Sequence, residues 1–217
     1  MKKISKYISI LFYSSRISKE DFKDYFKHTL VAFSLINILY ILAQYILYEF
    51  NKEFQIKINK SLELLYKNHK ISYFHLKLQS YPYSLISGIF YIIIFLLFCI
   101  MIQYLFHLIM GEKKKDIKKL VMINILSFNP FYILFLITLL ITSYINQNNL
   151  NNYLLHFLLI GFYFSLIILG IIIFALIFIK QSKRHFSQNT GRAFLTWISP
   201  MMILSAYVYN IIMRLRF

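Results

Sequence analysis

The sequence predicts an all-α integral membrane protein, a bundle of five transmembrane helices, and three observations carry that prediction. Of 217 residues, 59% are apolar and only 15% charged, a balance too apolar for a soluble domain of this length. Five runs almost free of charge reach or approach the roughly 20 residues needed to cross hydrocarbon. Those runs also lack the period-2 alternation of barrel strands, and backbone inside lipid must pair its polar groups within the protein, which leaves helices.

The N-terminus, MKKISKYISILFY, superficially resembles a signal peptide, but Lys6 interrupts it, only 8–13 form an unbroken apolar patch, and no small-residue cleavage site follows. Residues 4–14 therefore read as an interfacial amphipathic segment that is not cleaved, within a cytoplasmic N-terminal region 1–28. The five-span membrane domain occupies 29–213.

The first span, 29–49, carries Asn37 and Gln44 seven residues apart, so both amides lie near one helical face and are expected to meet another helix. The longest connection, 50–83, has six Lys and a weak alternation at Phe54, Ile56, Ile58 and again at Leu76 and Leu78. It is expected to form a small surface-lying element. Spans 84–110 and 153–179 are about 40 Å long as helices, so they must tilt or project beyond the bilayer. Gly88, Gly161 and Gly170 fall in them, where close helix approach is the expected use. Cys99 is the single cysteine; it has no disulfide partner and no second thiolate for a metal, and reads as packing.

Spans 120–145 and 194–213 each contain a proline, Pro130 and Pro200, that removes a backbone donor and is expected to kink its helix. Ser127, Asn129, Thr196 and Ser199 stand nearby to satisfy the freed backbone groups. The likeness of LSFNPFYIL (126–134) to TWISPMMIL (196–204) suggests that 84–145 and 153–213 are two hairpins of the same orientation.

Orientation follows from Lys and Arg between spans. Seven precede the first span, five lie in 111–119 and four in 180–193; the alternate set has six in 50–83, none in 146–152 and two at the C-terminus. By the positive-inside rule the N-terminus is expected inside and the C-terminus outside, in a cytoplasmic (inner) membrane. The six Lys of 50–83 oppose this, and a four-span arrangement, in which the first span does not cross, stays open. Asn59-Lys60-Ser61 is a glycosylation sequon in that same segment.

A net charge of +16 would suggest nucleic acid in a soluble protein. Here the charge falls between apolar runs, where anionic lipid headgroups lie. Part of it reflects a Lys-rich composition, 19 Lys to 5 Arg. Lys113, Lys114, Lys115, Lys118 and Lys119, with Lys183, Arg184 and Arg192, are the expected contacts to headgroups or to a protein partner or second copy.

The eight carboxylates all lie at span ends, as Glu49 does, or in connections, which argues against ion-coupled transport and against paired-carboxylate hydrolysis. His107 and His156 sit at opposite ends of their spans, about 30 Å apart. His107 and His185 could meet at the inner surface, but lack a carboxylate or thiol to complete a metal site. No metal or other cofactor is expected, and none of the H-E-x-x-H, G-x-S-x-G, P-loop or dinucleotide-binding patterns occurs. Asn37, Gln44, Asn124 and Asn129 remain as intramembrane polar groups.

The lead-in EDFKDYFKH, the stretch FHLIMGEKKKDIKKLVMINILSFNP and the later KRHFSQNTGRAFLTWISP, with Ala193 opening the last span, resemble the YIP family of Ypt/Rab-interacting membrane proteins in its divergent prokaryotic branch. The likeness is one of pattern over about 20–213. Glu112 follows Gly111 where many relatives have a second Gly, and the DLYGP motif of eukaryotic members is absent. The resemblance implies five spans, an inward N-terminus and a role in membrane organisation through partner proteins; a GTPase partner does not carry over. The expected function is thus a non-enzymatic structural or partner-binding membrane component. The alternative is a small transporter or channel subunit using the Pro-broken helices. A lipid enzyme, which would need His107 or His185, ranks last.

Overall fold

The computed structural model describes residues 22–111, 116–147 and 153–215. The amphipathic segment expected at 4–14 lies outside them, as do Lys113, Lys114 and Lys115. The described chain is almost wholly helical and contains no strand. Its helices are α1 (Phe22–Phe50), α2 (Lys52–Lys67), α3 (Tyr73–Gln79), α4 (Ser84–Ile109), α5 (Ile117–Gln147), α6 (Tyr153–Phe186) and α7 (Thr190–Leu215).

Five of these are long and apolar enough to cross a membrane: Tyr25–Phe50, Ser84–Ile109, Ile117–Ile141, Phe157–Phe186 and Thr190–Met213. The chain is a multi-pass membrane protein. Leu35, Ile38, Leu39 and Leu42 on α1 are half exposed, as are Ile168, Leu169 and Ile172 on α6. Apolar surface on this scale has lipid as its solvent.

Two expectations about connections change. The segment 50–83 is not a loop with strand-like alternation but two helices, α2 and α3, which pack on each other. The stretch 180–193 is mostly helix too, with only 187–189 outside α6 and α7. In both places charged residues mark the end of the apolar signal without marking the end of the helix, because Lys and Arg can extend along the helix to the aqueous edge.

Turn chemistry sets the helix ends. Gly111, at φ 66°, occupies the left-handed region that glycine adopts freely and stops α4. Asp116 Oδ1 accepts from the backbone N–H groups of Lys118 and Lys119 at 3.0 and 3.3 Å, capping α5. Ser187, at φ 58°, follows the end of α6. Asn189 Oδ1 then accepts from the Arg192 N–H at 2.8 Å, capping α7. Both hairpins therefore end one helix on a left-handed residue and start the next on an Asx cap.

The prolines lie inside unbroken helices. Pro200 cannot donate to the Thr196 carbonyl, and the Ser199 hydroxyl donates to that oxygen at 2.9 Å. At Pro130 the arrangement differs. The Ser127 hydroxyl donates to the carbonyls of Ile123 and Asn124, at 2.6 and 3.1 Å, one turn before the Leu126 carbonyl that Pro130 leaves without its helical donor.

The chain forms two compact units. Among the described residues the first comprises 22–32, 95–111, 116–131 and 171–215, the second 33–94, 132–147 and 153–170.

Candidate functional site

The candidate site is the polar interior of the first unit, and it begins on α4. Gln103 and His107 are four residues apart and so share a face; each is about 1% exposed. On α5, nine consecutive residues, 122–130, are buried, so this part of the helix is enclosed on every side and its polar residues must find partners inside the protein. Asn124 Nδ2 donates to Gln103 Oε1 at 2.7 Å and to the Leu120 carbonyl at 2.9 Å. That pair ties α4 to α5.

The second contact starts at His107. Gln188 Nε2 lies 3.4 Å from His107 Nε2 and 3.4 Å from Thr196 Oγ1. Thr196 Oγ1 donates in turn to the Arg192 carbonyl at 2.9 Å. The imidazole also meets Phe186 edge to face, with ring centroids 4.5 Å apart. One face of α4 thereby engages α5, the end of α6, the connection after it and the start of α7.

An aromatic layer accompanies these contacts: Phe128 and Phe174 lie 6.1 Å apart, and Phe174 and Trp197 6.1 Å apart, both edge to face. Small or polar residues at 193, 196 and 199 on α7, all fully buried, keep this helix close to its neighbours. The rim is basic. Lys118, Lys183 and Arg192 are exposed and Arg184 is half-buried; Lys183 Nζ donates to Thr190 Oγ1 at 2.9 Å. Lys119 pairs with Asp116 at 3.4 Å.

Of the intramembrane polar residues expected from sequence, only Asn124 joins this network. Asn129 is fully buried in the same unit, and neither atom of its amide has a hydrogen-bond partner among the described residues. Pro130 and Pro200 are buried. Asn37 and Gln44 belong to the second unit: Tyr132 Oη donates to Asn37 Oδ1 at 3.1 Å, joining α5 to α1, and Asn37 Nδ2 donates to the Phe33 carbonyl at 2.9 Å. Gln44 lies one turn from Tyr40 on the same helix. Sequence reasoning passed over Gln103 and Gln188; the signal available was a glutamine one turn from His107, and a glutamine closing a helix-to-helix connection.

Chemically, the network consists of amides, hydroxyls and one imidazole. Among the described residues no three of His, Cys, Asp and Glu gather as a metal site. The arrangement fixes helices, and the buried Asn129 amide stands outside it. No family model, curated protein or solved structure matches the chain.

Proposed function

We propose that the protein is a non-enzymatic structural or partner-binding component of membrane organisation or trafficking, YIP-like in character, that acts without a cofactor. The observation that carries this reading is the buried network of the first unit, which locks α4, α5 and α7 together and presents Lys118, Lys183 and Arg192 at its rim. A rigid basic rim suits docking by an acidic protein surface, by a second copy, or by anionic headgroups. On this reading the N-terminus and the connections around 111–119 and 180–193 face the cytoplasm of a bacterium, and the C-terminus faces outside. Mild solubilisation followed by affinity capture recovers a stoichiometric partner or self-oligomer, and Lys118→Gln, Lys183→Gln, Arg192→Gln together release it. Labelling of single cysteines, in a Cys99→Ser background, reaches position 114 from inside and position 149 from outside.

A second reading, a small transporter or channel subunit, is favoured by Asn129 alone, whose unserved amide adjoins the proline of a buried turn. Flux through reconstituted protein, altered by Asn129→Leu without a change in expression, supports transport over docking.

A further inference from the structure

The segment joining α1 to α4 carries six Lys, at 52, 57, 60, 67, 70 and 77, against two acids, Glu53 and Glu63. On α2, Ile58, Leu62 and Leu65 recur at spacings of four and three, and so share one face. Lys60 and Lys67 fall on the opposite side, with Lys52 and Lys57 on its two flanks. Leu62 is buried, whereas Leu65 and Tyr66 are over a third exposed.

The turn and α3 add more apolar surface. Ser72 Oγ accepts from the His75 N–H at 3.2 Å and starts α3. The rings of Tyr66 and Tyr73, 6.0 Å apart, close the hairpin. Tyr73 and Phe74 stay 58% and 68% exposed. Lys77 Nζ lies 5.7 Å from the Tyr73 ring centre and 5.3 Å from that of Tyr83, so its ammonium group sits beside both rings.

Both ends of this hairpin are held at span termini. One residue separates α1 from α2 and four separate α3 from α4. Tyr48, near the end of α1, stacks on Tyr81 of the second connection at 3.6 Å. We propose that α2 and α3 form an interfacial element that lies in the lipid headgroup layer and binds anionic phospholipid there. Tyrosines and a phenylalanine exposed beside lysines match the boundary between acyl chains and headgroups, where rings sit at the apolar edge and ammonium groups reach phosphate. The excess of lysine opposite and flanking the apolar face of α2 selects anionic over zwitterionic headgroups.

The inference rests on the spans crossing the bilayer, and its test reports on both. In a Trp197→Phe background, a single tryptophan is placed by Phe74→Trp or by Leu97→Trp. The full-length protein is reconstituted in vesicles of phosphatidylcholine, alone or mixed equally with phosphatidylglycerol. Leu97→Trp, on an exposed part of α4, is quenched by acyl-brominated lipid and confirms insertion. Phe74→Trp is expected to be quenched by nitroxide-headgroup lipid and shielded from aqueous iodide. Nitroxide phosphatidylglycerol should outperform nitroxide phosphatidylcholine about twofold, and Lys57→Gln, Lys60→Gln, Lys67→Gln should bring the two to parity. Iodide quenching at 74 without lipid quenching, with Leu97→Trp inserted, overturns the proposal and leaves the hairpin to a soluble partner. Equal quenching by the two headgroups before the Lys changes also overturns it.

Discussion

The two units of the chain solve helix association differently. In the first, Gln103, His107, Asn124, Ser127, Gln181, Ser182, Gln188, Thr196 and Ser199 are buried, and side-chain hydrogen bonds join one helix to the next. In the second, the buried polar residues described are Ser87 and Thr138, and the interior is built on Tyr40 and Tyr132, whose rings lie 5.9 Å apart. In lipid, apolar surface gains little by meeting other apolar surface, so close packing and hydrogen bonds carry association. The first unit leans on hydrogen bonds. The second leans on fit.

That contrast can be broken by substitution. The largest loss is expected from Gly88→Leu in the second unit, because a side chain there overlaps the Tyr40 ring, whose Cζ would lie 2.7 Å from an added Cβ. Overpacking of this kind costs about 1–3 kcal/mol. Tyr40→Ala removes the obstacle, so thermal unfolding in detergent should show Gly88→Leu nearly harmless in that background.

Next comes Asn124→Leu in the first unit. It leaves Gln103 Oε1 buried without that donor, and a loss of about 1–2 kcal/mol is expected in denaturant titration. Asn124→Leu combined with Gln103→Leu should recover part of this, since removing both partners leaves no orphan.

Much of this fold was legible before the structure. The apolar runs announced five long apolar helices, but helix continues seven residues beyond the apolar signal at the start of α1, past Lys23 and Lys27, and at the end of α6, past Lys180 and Lys183. The amphipathic α2 was missed because short stretches of a helix can alternate over four or five positions, as Phe54, Ile56 and Ile58 do. Asn124 stood out as a polar group in a span, and Ser199 as a group able to serve a carbonyl freed by proline. What was hidden is pairing: nothing in sequence says that Asn124 meets Gln103, or that His107 meets Gln188, because those contacts depend on the rotation and depth of neighbouring helices.

A smaller effect is expected from Tyr132→Phe, which removes the hydroxyl that Asn37 accepts from. Such bonds average about 0.6 kcal/mol in membrane bundles, and a double-mutant cycle with Asn37→Leu should return a coupling of that size. Packing of the ring persists, so the second unit should tolerate the change better than Gly88→Leu. The smallest effect on stability is expected at Asn129→Leu. With both amide atoms unserved, replacing it by an apolar side chain of similar volume should leave unfolding unchanged or slightly favour the folded state.

The central claim is that the first unit is a fixed scaffold whose basic rim binds a partner. The most direct measurement is the mass of the mildly solubilised assembly, with and without Lys118→Gln, Lys183→Gln, Arg192→Gln. A stoichiometric complex or oligomer is expected, which the triple variant loses while its unfolding transition stays in place. A wild-type protein that remains a monomer without a partner contradicts it.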